Sequence, residues 1–277
     1  MHPPIKQLPL GKARDTWLLP DGTLWCEIHL EGSRYRMRFP DMADFVVDAS
    51  GAVECYPVPG TDTHTLEHLH LNQVVPSVLS LQHRPVFHAG AVAMGDGAAA
   101  FVGISGRGKS TLVTHLALNG HALLTDDGME LALDAGQFLV RPAHPSVRLW
   151  EDSRRALLPE DAKRAPSLPY TVKERFIDDT LIPCSRSALP LRRAYFLGEG
   201  TSEEVHIEPM TAQEAHMAWV KHAFLLDPHD PTRMRSLFSQ IAALAEQSLS
   251  YRLDYPRRYE ALEEVRLALV AQAKATR

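Results

Sequence analysis

The sequence predicts a mixed α/β protein with a small β-rich N-terminal module (residues 1–84) and a larger domain of strands and helices (residues 85–277). Three observations predict it. Residues 14–58 alternate polar and apolar side chains between turn residues, the period-2 pattern of antiparallel strands. From residue 85 the texture changes to longer apolar runs. Between one such run and an amphipathic helix lies a glycine-rich loop, residues 103–111.

Within the module, Pro20-Asp21-Gly22 separates a strand at 16–19 from one at 23–30, and Glu31-Gly32 precedes a third at 35–39. Gly60-Thr61-Asp62-Thr63 closes the β region. Residues 66–81, with apolar side chains three and four apart, predict a helix.

In the larger domain, Val86 to Met94 reads as a strand, Gly95-Asp96-Gly97 as a tight turn and Ala98 to Val102 as a second strand. Ser110 to Asn119 forms a helix with Leu112, Val113, Leu116 and Ala117 on one face and Gly120 as its stop. A further strand, Ala122 to Thr125, ends in Asp126-Asp127. Thr211 and Glu214 make a capping box for a helix running to about Phe224, and residues 258–274 form the C-terminal helix. There is no internal repeat.

Composition excludes several classes of function. A net charge of −5 over 277 residues, with a pI near 6.3, lacks the basic balance of a nucleic-acid binder. Cys26, Cys55 and Cys184 are widely spaced and form no CxxC pair, which fits buried thiols in a reducing compartment. Met1-His2-Pro3-Pro4-Ile5-Lys6 lacks the apolar stretch of a signal peptide, and no apolar run reaches membrane-spanning length. The expected location is the cytoplasm.

Gly103-Ile104-Ser105-Gly106-Arg107-Gly108-Lys109-Ser110-Thr111 carries the GxxxxGK[ST] pattern between a strand and a helix, its required context. The glycines let successive N–H groups turn inward on phosphate oxygens, and the helix N-terminus adds partial positive charge. Lys109 has the length to reach β and γ oxygens, and Ser110 offers a hydroxyl to Mg²⁺. The expected ligand is ATP. Asp126 and Asp127, ending the next strand, supply two acids: one for the metal, one to take the proton of an attacking hydroxyl. A solvated Asp-Asp-Gly turn is the competing reading of that pair. His88 sits in an otherwise apolar strand, where a histidine is commonly a satisfied core residue.

Taken together, His88, Gly103, Lys109-Ser110 and Asp126-Asp127 resemble the catalytic domain of HPr kinase/phosphorylase across residues 85–130. In that family a histidine precedes the first loop glycine by fifteen residues, and an Asp-Asp pair follows the loop serine by sixteen and seventeen. The same spacings stand here. Gly120-His121 resembles the family's Arg-Gly-His turn. The family's glycine-rich second motif is not recognisable in this chain, and its larger N-terminal domain is replaced by the short module. Arg141 to Trp150 and Tyr251 to Arg258 look like the HPr-kinase-like proteins encoded beside lasso-peptide pathways, which phosphorylate a serine at the C-terminus of a precursor peptide.

The resemblance implies a P-loop core of the HPr kinase/phosphoenolpyruvate carboxykinase type, acting with ATP and Mg²⁺ on a precursor peptide and forming homo-oligomers. It implies triphosphate binding by Gly103 to Thr111, metal binding by Ser110 and Asp126, and Asp127 as general base, with the two acids exchangeable. His88 would lie beside the γ-phosphate or the aspartates. Glu151 falls at about the distance of a second metal-binding glutamate in a different local motif.

Phosphoryl transfer also needs positive charge on the equatorial oxygens. Arg148, Lys173, Arg175, Arg186, Arg192 and Arg193 are candidates, with Arg148, Lys173 and Arg192 foremost for phosphate or acceptor contacts. Arg252, Arg257 and Arg258 could receive an acidic peptide. Trp150, Tyr170 and Phe176 read as core, and His64, His68 and His70 as helix or loop surface. Three readings compete with a peptide kinase: an HPr-type protein serine kinase, a small-molecule kinase, and a nucleotide-binding regulator that transfers nothing.

Overall fold

The computed structural model describes residues 1–19, 21–177 and 180–275; Pro20, part of the first predicted turn, lies outside them. The chain divides into two compact units, residues 1–84 with 224–236, and residues 85–223 with 237–277. Residues 224–236, late in the sequence, thus group with the N-terminal module.

In the first unit, strands β1 (Asp15–Leu18), β2 (Leu24–Glu31), β3 (Arg34–Phe39), β4 (Ala43–Val47) and β5 (Val53–Pro57) form an antiparallel meander in sequence order. Strand β4 is buried along its whole length, so it carries no alternation for a sequence reading to find. The helix predicted over 66–81 is two helices, α1 (Thr63–Leu69) and α2 (Val75–Leu81), joined by a π-helical turn at His70–Val74. There the Val75 N–H reaches the His70 carbonyl, five residues back. His68, expected at the surface, is buried with 1% exposure; one face of α1 is the inner face. Asp227 ties residues 224–236 to this unit, accepting from Arg14 Nε at 2.9 Å and from the Tyr35 hydroxyl at 2.7 Å.

The second unit is built on strands β6 (Val86–Met94), β7 (Gly97–Val102), β8 (Leu123–Thr125), β9 (Gly128–Asp134) and β10 (Gln137–Val140), with helix α3 (Lys109–Leu118) after β7. A separate two-stranded ribbon, β11 (Val147–Leu149) with β12 (Glu174–Phe176), brackets helix α4 (Glu151–Leu157). Strands β13 (Leu189–Leu197) and β14 (His206–Pro209), helix α5 (Ala212–Lys221), helix α6 (Pro231–Ala245), strand β15 (Ser250–Asp254) and helix α7 (Leu262–Ala275) complete the chain. Helix α6 and the β9–β12 region are not among the predicted elements. The predicted capping box is present: the Thr211 hydroxyl accepts from the Glu214 N–H while the Glu214 carboxylate accepts from the Thr211 N–H.

The main sheet runs β10-β9-β6-β7-β13-β15-β14, with β8 also beside β6. Strands β7, β13 and β15 are parallel, while β6 is antiparallel to both β7 and β8. Therefore β7 and β8 run in the same direction, and their carboxyl ends share one edge. Strand β6 lies between the loop-bearing β7 and the acid-bearing β8. Both faces are covered. Phe101, Leu112, Val113 and Leu116 belong to one core, and Ala98, Ala100, Val102 and Trp219 to the other, which explains the near-continuous apolar runs of β6 and β7. Among the described residues no helix is long and apolar enough to cross a membrane.

Candidate active site

The glycine-rich loop leaves the carboxyl end of β7 and enters α3, with Gly106 at φ 86° and Gly108 at φ 82°. That left-handed backbone favours glycine, and Gly108 is the N-cap of α3. Lys109 folds back under the loop, its ammonium donating to the carbonyls of Gly103 at 2.6 Å and Ile104 at 3.1 Å. It is 5% exposed. Burial pushes its pKa down to about 8; the Asp126 carboxylate opposes that shift, and the Lys173 and Arg148 charges add to it. A buried ammonium that has only neutral carbonyls as hydrogen-bond acceptors is incompletely compensated. Phosphate oxygens would complete it.

The acids arrive through an interruption between two strands. Thr125 of β8 pairs with Ala91, and Gly128 of β9 pairs with His88, so Asp126 and Asp127 span a break along one edge of β6. Gly90 makes room for it. A Cβ there would lie 2.9 Å from Val113 Cγ1 and 3.5 Å from Asp126 Oδ1. Asp127 itself adopts φ 79°, a costly conformation for a non-glycine residue and one found disproportionately at functional sites.

Each acid is held by a different group. Asp126 Oδ1 accepts from the Ser110 hydroxyl at 2.9 Å, and Oδ2 from the Arg148 N–H at 3.1 Å. The Asp127 carboxylate pairs with the Arg148 guanidinium, and its backbone carbonyl lies 3.1 Å from His88 Nδ1. Because a carbonyl only accepts, His88 donates from Nδ1, leaving the lone pair on Nε2. Burial foremost, with the Lys109 and Arg148 charges acting in the same direction, lowers the His88 pKa to about 3. The ring is therefore neutral near pH 7. The backbone N–H of His88 donates to the His222 carbonyl at 2.8 Å.

The Ser110 hydroxyl and the Asp126 carboxylate are hard oxygen donors and fit Mg²⁺, which commonly keeps water and substrate phosphates as its other ligands. Among the described residues no cluster of three His, Cys, Asp or Glu side chains could hold a metal by itself.

One cleft contains Ser105, Gly106, Gly108, Lys109, Ser110, Thr111, His88, Asp127, Arg148 and Lys173. Ile104, Arg107 and Asp126 flank it, Arg107 being tethered to Glu199 at 2.9 Å. Arg192 is elsewhere. It pairs with Asp96 at 3.1 Å, beyond the amino end of β7, so a strand's length separates it from the loop. Glu151 pairs with Arg155 on the outer face of α4 and does not line the cleft. Arg175, Arg186 and Arg193 do not line it either, and Arg252 pairs with Glu214 at 2.7 Å.

Phe176 is core, 1% exposed, but Trp150 is 46% exposed on the cleft wall. It stands at the N-cap of α4, and Lys173 Nζ lies 5.5 Å from its ring centroid. Sequence reasoning also passed over Asp152, Ser153, Tyr255 and Tyr259, all of which line the cleft. Tyr255 follows β15, the third parallel strand, whose carboxyl end faces the loop. That position, where open parallel sheets bind ligands, was the available signal.

No family model matches the chain, and no curated protein matches it. Among solved structures the chain is similar to the Hpr(Ser) kinase/phosphatase from Coxiella burnetii, at 11% identity over 58% of this chain and 98% of that one, with a TM-score of 0.27. A likeness of that degree carries no argument about activity.

Proposed function

We propose that this chain is a phosphotransferase that moves the γ-phosphoryl group of ATP, with Mg²⁺, to a serine hydroxyl of a peptide, the C-terminal serine of a lasso-peptide precursor being the acceptor we favour. The observation that carries the reading is the Ser110–Asp126 hydrogen bond. It ties a phosphate loop to a strand end bearing a second acid. In the reaction the acceptor oxygen bonds to the γ-phosphorus, the bond to the β-γ bridging oxygen breaks, and ADP leaves. Lys109 supplies charge at the β and γ oxygens. Asp127 takes the acceptor's proton, and Arg148 holds both acids in place. Lys173 adds charge at the transferred group. A magnesium ion at Ser110 and Asp126 would screen charge on the phosphates. A plain nucleotide switch needs no acceptor base, so the second acid speaks for transfer.

The reading goes with a cytoplasmic location, where ATP is plentiful and the free thiols Cys26, Cys55 and Cys184 stay reduced. Its partners would be a precursor peptide and further copies of this chain, not nucleic acid. The test is mass spectrometry of the cognate peptide after incubation with ATP and Mg²⁺, beside HPr and beside a peptide whose terminal serine is alanine. One added phosphate on the serine peptide alone is the expected result. Labelling of HPr alone would overturn the substrate, and ATP hydrolysis with no labelled acceptor would favour a switch.

A further inference from the structure

Ser110 and Thr111 are adjacent on α3, about 100° apart around its axis, and their hydroxyls face different walls. Ser110 reaches Asp126. Thr111 Oγ1 lies 3.0 Å from Ser153 Oγ, which in turn lies 3.2 Å from the Tyr259 hydroxyl. Asp152, next in the cleft wall, accepts from the Ser153 N–H at 2.8 Å. It also flanks the Tyr259 phenol, whose pKa is raised by burial, lowered by Ser153 and raised again by Asp152. All four residues line the cleft.

One feature says what this wall would hold. The hydroxyl chain of Thr111, Ser153 and Tyr259 ends against the Asp152 carboxylate. Asp152 only accepts when ionised, and among the described residues it has no cationic partner within ion-pair reach. A carboxylate in a cleft lined by Lys109, Arg148, Lys173 and Arg257 repels phosphate. It marks the part of the ligand that is not phosphate and that offers O–H donors. With the transferred phosphate on the Ser110 side, the remainder of the nucleotide extends along the Thr111 side.

We propose that Asp152, Ser153 and Tyr259 form a ribose subsite that reads the sugar's 2′- and 3′-hydroxyls, with Thr111 linking it to the phosphates. This inference rests on the reading of the loop as an ATP site. Asp152 accepts from the sugar diol, and Ser153 and Tyr259 hold that carboxylate in place. Selectivity for the ribo-sugar follows, independent of the acceptor.

The test is calorimetric titration of the full-length protein with ATP, 2′-deoxy-ATP, 3′-deoxy-ATP and inorganic tripolyphosphate, for wild type, Asp152→Asn and Tyr259→Phe. Wild type should bind ATP about 10-fold or more tighter than at least one deoxy analogue, as for loss of a hydrogen bond to a charged group. In Asp152→Asn that preference should fall below about 3-fold with tripolyphosphate affinity unchanged. Tyr259→Phe should reduce it in the same direction. Equal binding of all three nucleotides by wild type overturns the subsite, and does so even if a variant fails to fold. A folded Asp152→Asn that keeps the preference also overturns it. If ATP and tripolyphosphate both fail to bind wild type, the phosphate-loop reading falls too, which separates the two failures.

Discussion

Arg148 is bonded to both acids of the site: its backbone N–H donates to Asp126 at 3.1 Å and its guanidinium pairs with Asp127. One residue of β11 thus fixes two carboxylates that could otherwise repel each other, and their roles separate by environment. Asp126 faces Ser110, the side proposed for the metal. Asp127 faces Arg148 and His88. Asp126→Asn should therefore raise the Mg²⁺ concentration needed for half-maximal rate. Asp127→Asn should lower the maximal rate by about 10²–10⁴ with little change in that requirement. Titrating Mg²⁺ against rate for both variants checks this. A reversed result exchanges the two roles, and two variants near wild type would remove the kinase reading.

Lys109 gives a prediction in pH. Burial holds its pKa near 8 in the ligand-free protein, and bound phosphate favours the charged form, raising it. In the kinase reading nucleotide binds the protonated lysine, so ATP affinity should be level below about pH 8 and fall as pH rises through it. Proton uptake should accompany binding at pH 8. Lys109→Ala should flatten that profile and lower the rate by roughly 10²–10³, the scale for losing one fixed charge-stabilising donor. Backbone N–H groups remain, so weakened binding should persist. Calorimetry in buffers of different ionisation enthalpy reads the proton count.

His88 holds the carbonyl of Asp127 in its left-handed conformation, so it positions the acid. His88→Ala should lose most activity with the melting midpoint little changed at pH 7.5. Acid separates it from wild type. Its pKa is lowered on folding, so the unfolded chain binds more protons below about pH 6.5 and stability falls as pH drops from there toward about 3. His88→Ala should lose less stability than wild type between pH 7 and pH 4. Melting curves at several pH values measure the difference, and identical pH slopes would remove the neutral, buried histidine from the account.

How much of this was legible follows from where each signal lives. The loop of Gly103 to Thr111 could be placed between a strand and a helix because that pattern is local: strand, glycines, lysine, helix. The acid pair could be read as acids, but not as a break facing Gly90, since the pairing of Thr125 with Ala91 and of Gly128 with His88 is non-local. Arg148 was one cation among six; only the ribbon β11–β12 lifts it over Asp126. Trp150 looked like core because large aromatics usually are, and the α4 N-cap instead leaves it in the cleft. Arg192 failed for a directional reason. Its place near the start of β13 puts it at the amino end of a strand parallel to β7, away from the loop.

Lys173 is the remaining cation. Its ammonium lies over Trp150 and, among the described residues, has no carboxylate within ion-pair reach. Burial lowers its pKa, Arg148 lowers it further and Asp126 raises it. Such a charge costs free energy in the resting protein and is relieved when an anion arrives beside it. In the kinase reading ADP keeps the loop's contacts to the α- and β-phosphates but lacks the transferred group, so ADP and ATP discriminate between roles. Lys173→Ala should leave ADP affinity within about 2-fold and lower the maximal rate by about 10²–10³. Lys173→Arg should restore part of it, because the charge returns on a side chain that also stacks on indole. Trp150→Leu, keeping the ammonium but removing its platform, should fall between. If Lys173→Ala instead weakens ADP binding in proportion to the loss of rate, the lysine serves the bound nucleotide as a whole. If the rate is unchanged, the charge has no part in transfer and Arg148 with Lys109 must suffice.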